Sequence, residues 1–519
     1  MALPDYYARN AQAAASLIQG FDATALAARL ENEVVGIIVD KSVLDSPEAQ
    51  HAVDLTVRML ARLYPTLAIV AGAGVSKAFV SSLGKLASAI NPKIDLVSAP
   101  DAVTKMLVFG ATPFKGKSKA QGFTWYVGSD NWVLKLSRKA PVGSGKTANP
   151  LGAGAAACVA TANVFRAVFA AELGGGKLDD EVSFSLLTMR PFGGGESPAL
   201  GTVHLDDVHL VGAGAIGNGV LWALSRMQCT GQLHVVDHEK VTDSNLQRYV
   251  MLEAANRDAE KAALAKSWFP VRKDVTVEGH VSKWADHVAT VPDYKVDTVL
   301  SAVDTAKARI EIQSSLPRTI FNAWTQLSVA GVSRHQFLGN MACLACLYLP
   351  KKAAPMNEDE LVVRALKLPV DKPVIEDVRR RLQKNEPTDR AFLERVAAAA
   401  GVEIEKLLPF ENRPLRDLYV EGVCGGRVME FHQAALQANA EVPMAFQSAL
   451  AGILLAAELA RPNWLPHAMT QFDLLDTFPE QPGTTRLKTQ SPACLCLDAD
   501  FIDVYRAKYG FKAAQAQAA

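Results

Sequence analysis

The sequence has no excess of charge of either sign. Its 519 residues include 54 Lys and Arg against 54 Asp and Glu, so the formal net charge is zero and the pI is near 7.1. Such a balance gives no reason to expect nucleic acid as the main partner. Hydrophobic residues make up 49% and charged residues 21%, as in an ordinary globular protein, and the length predicts two or three domains.

Long apolar runs without polar interruptions are also missing. Residues 151–173 contain Asn163 and Arg166, and residues 442–460 contain Gln447 and Glu458. We therefore predict buried helices there, with no contact to a membrane. The N-terminus shows no basic flank followed by an apolar block, so we expect no signal peptide and a cytoplasmic protein.

Cysteine is scarce and unevenly spread, with seven residues in the chain. Without an evident signal peptide, this distribution favours reduced thiols in metal or catalytic roles. Cys343 with Cys346 and Cys494 with Cys496 form two close pairs, which suits a Zn²⁺ ion held by four thiolates. The second pair is spaced CxC where CxxC is usual, and reduced core cysteines or a redox pair are the alternatives.

A glycine turn dominates what the sequence does contain. In residues 208–248 an apolar run leads to Gly212, Gly214 and Gly217, then to a helical stretch and a second apolar run that ends at Asp237. The first glycine permits a tight turn, the second lets the backbone approach a phosphate, and the third lets helix and strand pack closely. Because the acid can reach a ribose hydroxyl, the pattern predicts a nucleotide site.

Beyond residue 200, apolar runs alternate with helical stretches. This alternation predicts an α/β fold with a Rossmann-like, largely parallel sheet. Asp237, Asp304 and Asn322 fall near the carboxyl ends of predicted strands, where such sheets bind their ligands. Residues 351–417 are charged, helical and punctuated by prolines, so we predict a small helical insertion or a long crossing segment.

The segment that follows the second apolar run is more specific than the glycines. The string VDHEKVTDSNLQR, residues 236–248, strongly resembles the ThiF/MoeB-like family, which includes the ubiquitin-activating enzymes. The resemblance implies that Asp237 binds the ribose and that Asn245 and Arg248 belong to the NLxRQ motif. It also implies that Lys261 is the motif lysine of the next helix and that Asp304 binds magnesium. Tyr249 departs from the usual glutamine of that motif.

The chemistry of this family accounts for the residue types. A carboxylate that attacks the α-phosphate of ATP adds negative charge at phosphorus and releases pyrophosphate. Fixed cations and Mg²⁺ lower that barrier, and an ionised nucleophile needs no base. Arg248 and Lys261 would supply positive charge, and Asp304 would hold Mg²⁺.

Cys424 stands apart from both cysteine pairs, between Gly422 and Gly425. Glycines around a thiol suit an accessible nucleophile. In the family, a cysteine before the final long helix can accept the activated carboxylate as a thioester, and Cys424 is our candidate. The alternative is a small buried hydrophobic residue, which is what we expect of Cys158 and Cys229.

The N-terminal 200 residues carry none of these catalytic residues. They resemble the inactive pseudo-adenylation half of fused ubiquitin-activating enzymes, and we interpret Gly72 to Gly74 as a degenerate copy of the later glycine turn or as a plain close turn. Gly143 to Thr147 end like a Walker loop but lack its first glycine. The resemblance also makes Arg9 a candidate for the arginine that the partner half extends to ATP.

Together these observations predict three regions: an inactive adenylation-like domain (1–200), an active ThiF-like domain (201–350 and 425–519) and a helical crossover with the catalytic cysteine (351–424). The predicted function is ATP- and Mg²⁺-dependent activation of the C-terminal glycine of a ubiquitin-like protein, with thioester transfer to Cys424 and hand-over to a conjugating enzyme. Antiphage defence is one setting known for such bacterial systems. The alternatives are a sulfur-carrier adenylyltransferase, a scaffold that binds a ubiquitin fold, and an NAD-dependent dehydrogenase.

Overall fold

The computed structural model describes most of the chain. The described residues are 6–15, 23–72, 74–173, 176–270, 274–326, 328–349, 358–419, 442–461, 468–478, 485–487 and 489–511. They fall into two compact units, one formed by Met1–Leu349 with Val442–Ala519 and the other by Pro350–Glu441.

The first half of the larger unit is built around an eight-stranded sheet with the order β3-β2-β1-β4-β5-β6-β7-β8. Strands β1 to β5 pair in parallel, and β5 to β8 pair antiparallel. Its elements are α1 (Tyr7–Ala15), α2 (Ala23–Glu31), β1 (Val35–Val39), α3 (Pro47–Leu63), β2 (Thr66–Ala71), α4 (Lys77–Ile90), β3 (Asp95–Val97), β4 (Lys105–Phe109), β5 (Thr124–Asp130), β6 (Val133–Ser137), α5 (Pro150–Val168), β7 (Glu181–Ser185) and β8 (Arg190–Pro191).

The second half of the larger unit carries the other sheet, and its chain is interrupted by the smaller unit. Before the interruption lie β9 (Val203–His204), β10 (Val208–Val211), α6 (Ala215–Leu224), β11 (Cys229–Val236), α7 (Lys261–Trp268), β12 (Val275–His280), α8 (Trp284–Val288), β13 (Thr298–Ser301), α9 (Ala306–Ser314), β14 (Thr319–Gln326), β15 (Val329–Gln336) and α10 (Leu344–Tyr348).

The smaller unit is helical, which confirms the predicted helical insertion. It contains α11 (Glu358–Ala365), α12 (Lys372–Lys384), α13 (Arg390–Ala400) and α14 (Leu415–Asp417). Asp371 and Asp389 cap the starts of α12 and α13, and the two helices end at left-handed Asn385 and Gly401. Their apolar faces bury a core of their own that includes Phe392.

After the smaller unit the chain returns to the second sheet with α15 (Ala445–Ala460), β16 (Ala468–Asp473), β17 (Thr485–Arg486) and α16 (Ala499–Tyr509). The strand order is β12-β11-β10-β13-β14-β15-β16-β17, with β9 paired to β11. Strands β10 to β14 pair in parallel and β14 to β17 antiparallel.

The two sheets therefore repeat one topology strand for strand, β1 to β8 matching β10 to β17. This confirms the predicted Rossmann-like fold with a preceding pseudo-copy. Helices α5 and α15 occupy matching places in the two halves and pack on each other and on α3 and α6, in one hydrophobic core. Where α6 and α15 cross, a Cβ on Gly219 would lie 3.0 Å from the Cα of Gly452, and a Cβ on Gly452 would lie 2.6 Å from the Cα of Gly219, so both positions require glycine.

An asparagine side chain caps the start of helix α5. The Asn149 side chain accepts a hydrogen bond from the Leu151 amide at 2.9 Å, and Pro150 occupies the first turn. By length and composition α5 could cross a membrane, but 94% of its most apolar window is buried inside the structure. Its sides are covered by α3, α15 and the first sheet.

Candidate adenylation site

The glycine turn joins β10 to α6 at the carboxyl edge of the second sheet. Gly212 has φ of +95°, and a Cβ there would lie 2.8 Å from the carbonyl oxygen of Ala302. A Cβ on Gly217 would lie 2.1 Å from the Gly212 oxygen, so neither position accepts a side chain. Gly214 is the N-cap of α6 and has no side chain to cap it, which leaves first-turn amides available to an anion.

Asp237 connects the end of β11 to this turn. Its carboxylate accepts hydrogen bonds from the Ala213 amide at 2.8 Å and the Glu239 amide at 2.9 Å. Burial raises the pKa of this carboxyl, opposed by the two amides and by the charge of Lys261. The predicted acid thus lies beside the predicted turn.

Lys261 is the first residue of α7, and its side chain is only 4% exposed. Its Nζ donates to Glu239 Oε2 at 2.5 Å and to the Tyr249 hydroxyl at 3.4 Å. Burial alone would lower the pKa of the amine, but interactions with Tyr249, Glu239 and Asp237 outweigh it and raise that pKa. Lys261 is therefore a fixed positive charge at neutral pH.

Tyr249, where the family motif has glutamine, links the lysine to the glycine turn. Its hydroxyl would lie 3.4 Å from a Cβ built on Gly214, and its ring centroid lies 5.2 Å from Lys261 Nζ. The sequence marks Tyr249 only as a departure from the motif, and it predicts no role for Glu239. The sequence feature that could have indicated a role for Tyr249 is the replacement of the motif glutamine next to Arg248.

Arg248 also lies over the Tyr249 ring, with its guanidinium carbon 5.6 Å from the ring centroid. Burial lowers the pKa of this guanidinium, while the charges of Tyr249 and Asp304 act in the opposite direction. Arg9 on α1 comes from the first half of the chain, and burial together with the positive charge of Arg248 lowers its pKa to about 10. Two neighbouring guanidinium groups produce a strongly positive region, as an anion site requires.

Asp304 follows β13 and is exposed. Nη1 of Arg309, on α9, donates to the Asp304 carbonyl at 3.3 Å, and Nε donates to Asn322 Oδ1 at 3.1 Å. Asn322 is thus used to hold the arginine that fixes the Asp304 backbone. Asn245 also has a local partner, because its Oδ1 accepts a hydrogen bond from the Thr242 amide at 3.0 Å and closes the turn before Arg248.

The structure thus brings together the predicted nucleotide residues at one sheet edge: Gly212, Gly214, Gly217, Asp237, Asn245, Arg248, Lys261 and Asp304, with Arg9 beside them. Cys424 lies outside the described residues. Cys158 and Cys229 are buried, as predicted for core cysteines.

The four remaining cysteines converge although about 150 residues separate the two pairs. The Sγ atoms of Cys343 and Cys346 lie 3.8 Å apart, and each lies 3.5 Å from its partner in the second pair, Cys494 or Cys496. Thiolates about 2.3 Å from one tetrahedral Zn²⁺ are roughly 3.8 Å apart. The CxC spacing is therefore compatible with a four-thiolate site.

The first half lacks the equivalent nucleotide turn among its described residues. Gly72 and Gly74 follow β2, whose counterpart is β11, so the interpretation of this turn as a copy of Gly212 to Gly217 is wrong. The true counterpart follows β1, where the Asp40 carboxylate accepts hydrogen bonds from the amides of Ser42 and Thr112 at 2.8 and 2.7 Å. A carboxylate at that place would repel a phosphate.

The Walker-like loop has a structural explanation as well. Fully buried Glu48 accepts hydrogen bonds from the Thr147 hydroxyl at 2.6 Å, the Ser129 hydroxyl at 2.7 Å and the Asn131 amide at 3.0 Å. A Cβ on Gly145 would lie 2.4 Å from this carboxylate. The loop glycine makes room for a buried acid, and no phosphate is needed to account for the sequence.

Comparisons with known proteins give two family models and one relative with sequence similarity along nearly the whole chain. A family model described as "ThiF family" matches residues 198–461, and one described as "Prokaryotic E2 family C" matches residues 38–170. The uncharacterized protein y4jF of Sinorhizobium fredii is 42% identical over 516 residues, which is 98% of each chain.

Among solved structures, E. coli MccB in complex with ATP aligns with a TM-score of 0.30 at 13% identity, over 57% of this chain and 65% of that chain. E. coli MccB with MccA-N7isoASN gives 0.31 and 13%, over 56% and 66%. The chain thus spans slightly less than two thirds of these MccB chains.

The match to an E2 family raises the question of a thiol in the first half. Residues 38–170 contain one cysteine, Cys158, whose side chain is 0% exposed on α5. Burial raises the pKa of this thiol well above its usual value. A thiol that accepts an acyl group must be reachable and ionised, so Cys158 is unsuited to that role.

Proposed function

Because the chain belongs to the ThiF family, we propose that it activates the C-terminal glycine carboxylate of a ubiquitin-like protein. ThiF-family adenylating enzymes use ATP and Mg²⁺. The proposed reaction adenylates that carboxylate, transfers the acyl group to Cys424 and passes it to a conjugating enzyme. The observation that carries the proposal is the convergence of the glycine turn, Asp237, Lys261, Arg248 and Asp304 at one sheet edge.

In the first step a carboxylate oxygen of the terminal glycine attacks the α-phosphorus of ATP. The bond from this phosphorus to the bridging oxygen breaks, and pyrophosphate leaves with the electron pair. The nucleophile is already ionised, so the residues required are those that hold charge: Lys261 and Arg248 for the phosphates, and Asp304 as a ligand for Mg²⁺. The amides at the start of α6 add hydrogen-bond donors.

Arg9 is proposed as a further contact to the nucleotide, contributed by the inactive half. Its charge interacts with that of Arg248, which supports a position at the same anion site. In this arrangement the first half completes the site of the second half. Arg9 lies on α1 of the first half, whereas the other proposed nucleotide contacts come from the second half.

In the second step the Cys424 thiolate attacks the carbonyl carbon of the acyl-adenylate, the carbon–oxygen bond to AMP breaks, and AMP leaves. Support for Cys424 comes from its glycine-rich surroundings in the sequence and from the burial of Cys158 and Cys229. The four clustered cysteines are instead proposed to hold a structural Zn²⁺.

The test is ATP–pyrophosphate exchange with purified full-length protein and a ubiquitin-like protein that ends in glycine. We expect exchange only when both are present, together with an adduct between the two proteins that DTT removes. Cys424→Ala should keep the exchange and lose the adduct, whereas the control Cys158→Ala should keep both. Absence of exchange with every ubiquitin-fold partner would reject the activation step, and an adduct that survives in Cys424→Ala would assign the thiol elsewhere.

A further inference from the structure

Four of the ten histidines of the chain form a cluster beside the nucleotide edge. His209 lies on β10, His234 on β11, His280 at the end of β12 and His287 on α8. The ring centroids of His209 and His234 are 4.5 Å apart, those of His234 and His280 are 5.2 Å apart, and those of His280 and His287 are 4.3 Å apart. The adenylation chemistry proposed above uses none of them.

The strand register explains the convergence. In the parallel pairing of β11 with β12, His234 lies beside Glu278, and Val236 lies beside His280. Side chains two residues apart on a strand point to the same face, so His234, Glu278 and His280 share one side of the sheet. Trp284 and His287 of α8 border the same cluster.

Three ligand atoms meet in a triangle of the size that a metal ion needs. His234 Nδ1 and His280 Nε2 are 2.9 Å apart, and Glu278 Oε2 lies 3.7 Å from the first and 3.8 Å from the second. Ligands about 2.1 Å from one tetrahedral Zn²⁺ are roughly 3.4 Å apart. One separation is shorter than this value and two are longer. Small side-chain movements would therefore bring all three atoms to bonding distance from one ion.

Two further observations point to a ligand at this place. The Nε2 atom of His287 is buried and has no hydrogen-bond partner among the described residues, although a buried ring nitrogen without one is costly. Glu278 is exposed and His280 is half-buried, so an ion could enter from solvent. The carboxylate and two imidazoles are ligands typical of Zn²⁺ and chemically similar divalent ions.

We propose that His234, Glu278 and His280 form a second divalent metal site, bordered by the His287 ring. The site is separate from the four cysteines and does not depend on the proposed adenylation. Its effect would reach the nucleotide edge, because the His280 carbonyl accepts a hydrogen bond from the Asp237 amide at 3.1 Å. The ion would fix β11, β12 and α8 next to the acid assigned to the ribose.

The test counts Zn²⁺ ions in the full-length protein after equilibration with micromolar Zn²⁺ and gel filtration. We expect two ions per chain for the wild type and one for His234→Ala with His280→Ala. The matched control is His204→Ala, an exposed histidine on β9 whose Nδ1 lies 2.9 Å from the Thr230 hydroxyl; it should retain two. Loss of both ions in the control, or equal zinc content in the double variant and wild type, would overturn the proposal.

Glu278→Gln keeps the test decisive if the histidine variants do not fold, since this side chain is exposed. It should weaken binding of the second ion on the order of 10-fold or more in competition with a zinc indicator. Co²⁺ gives an independent signature, because sulfur ligands produce a strong near-ultraviolet band that nitrogen and oxygen ligands lack. Glu278→Gln should therefore lose bound Co²⁺ while the near-ultraviolet band of the thiolate-bound Co²⁺ keeps its intensity. A weaker band, or an unchanged affinity for the second ion, would contradict the assignment.

Discussion

Lys261 keeps its positive charge in an almost fully buried position because Glu239 and Tyr249 both accept hydrogen bonds from its amine. A cation held in this way needs no reorganisation when charge develops on a phosphate. We expect Lys261→Ala to reduce pyrophosphate exchange by about 100- to 1,000-fold, as loss of one preorganised donor usually does.

The control for this substitution is Lys266→Ala, an exposed lysine on the same helix. It removes the same side chain without touching the site, so its exchange rate should stay near that of the wild type. If Lys261→Ala retained full exchange at saturating ATP, the lysine would have only a structural role in holding Glu239.

The site residues differ in how far sequence could reveal them. Gly212 and Asp237 are set by local backbone geometry and spacing, so a linear motif contains that information. The contacts of Tyr249 with Gly214 and Lys261 depend on how the 246–252 segment folds back over α6, and no spacing rule describes that. Cys424 is a candidate because of its neighbouring glycines and the family resemblance, and its role stays a prediction.

At the scale of elements, α3 of the first half holds the 246–252 segment of the second half. Arg62, with no exposed surface, donates from Nη1 to the Leu246 carbonyl and from Nη2 to the Leu252 carbonyl, both at 2.6 Å. These two carbonyls flank Arg248 and Tyr249. A guanidinium is well suited to such a clamp because its donors lie in a rigid plane.

Arg62→Gln should therefore destabilise the protein and weaken catalysis together. It leaves at least one buried carbonyl without its donor, which costs about 1–3 kcal/mol. Urea denaturation should show a lower midpoint, and exchange should fall even where the variant is fully folded. If the variant were less stable but kept its exchange rate at urea concentrations where it is folded, the contacts of Arg62 would not position Arg248. Arg190→Gln, on an exposed edge strand, is the control.

The cysteine cluster joins α10 to the turn before α16, and both belong to one small core with Phe337 and Tyr505. Removal of Zn²⁺ should leave four thiols that no longer tie these segments together. We expect one less Zn²⁺ in Cys346→Ser and easier proteolysis near residue 496, while Cys424→Ser keeps its metal. Unchanged zinc content in Cys346→Ser would reject the four-thiolate site.

Elements were easier to predict than the turns between them. Residues 123–136 alternate between apolar and polar residues and predict one continuous strand, yet the chain reverses at Asn131, whose φ is +52°, into β5 and β6. Alternation is the same in one long strand and in two paired strands, so the pattern could not reveal the reversal. The capped start of α5 at Asn149 was predictable, because capping is a local interaction.

For the whole molecule, Asp54 on α3 is a charged link between the halves. Its carboxylate accepts hydrogen bonds from Trp222 Nε1 at 2.8 Å and Arg226 Nη2 at 2.7 Å. Burial alone would raise the pKa of this carboxyl, but the charges of Arg58 and Arg226 and the Trp222 hydrogen bond outweigh it and hold that pKa at about 2, below its ordinary 3.8.

A lowered pKa means that the folded state favours the ionised carboxylate. The stability from Asp54 is therefore fully present above about pH 4 and is lost as the pH falls through about 2. We expect wild type to have a higher melting temperature than Asp54→Asn at pH 6 and the difference to shrink steadily below pH 4. A difference that is constant over this range would mean that the charge on Asp54 contributes nothing to the link.

The pseudo-copy was predicted from the family resemblance, but hydrophobic patterning alone could not give the strand-for-strand match, because the first half keeps the order of strands while its glycine turn is absent from the matching position. Hydrophobic patterning conveys the number and type of elements. Their pairing order depends on contacts between residues far apart in the chain, which patterning does not encode.

Asp40 makes the two halves differ, although they share one strand topology. Its carboxylate follows β1 and accepts amide hydrogen bonds there, whereas in the second half β10 is followed by the start of α6, which no side chain caps. We therefore expect a single triphosphate site, in the second half. Calorimetric titration with ATP should reach saturation at one molecule per polypeptide. The first half would then act as a covalently attached subunit. Because both halves belong to one polypeptide, dilution could not separate them as it separates two chains.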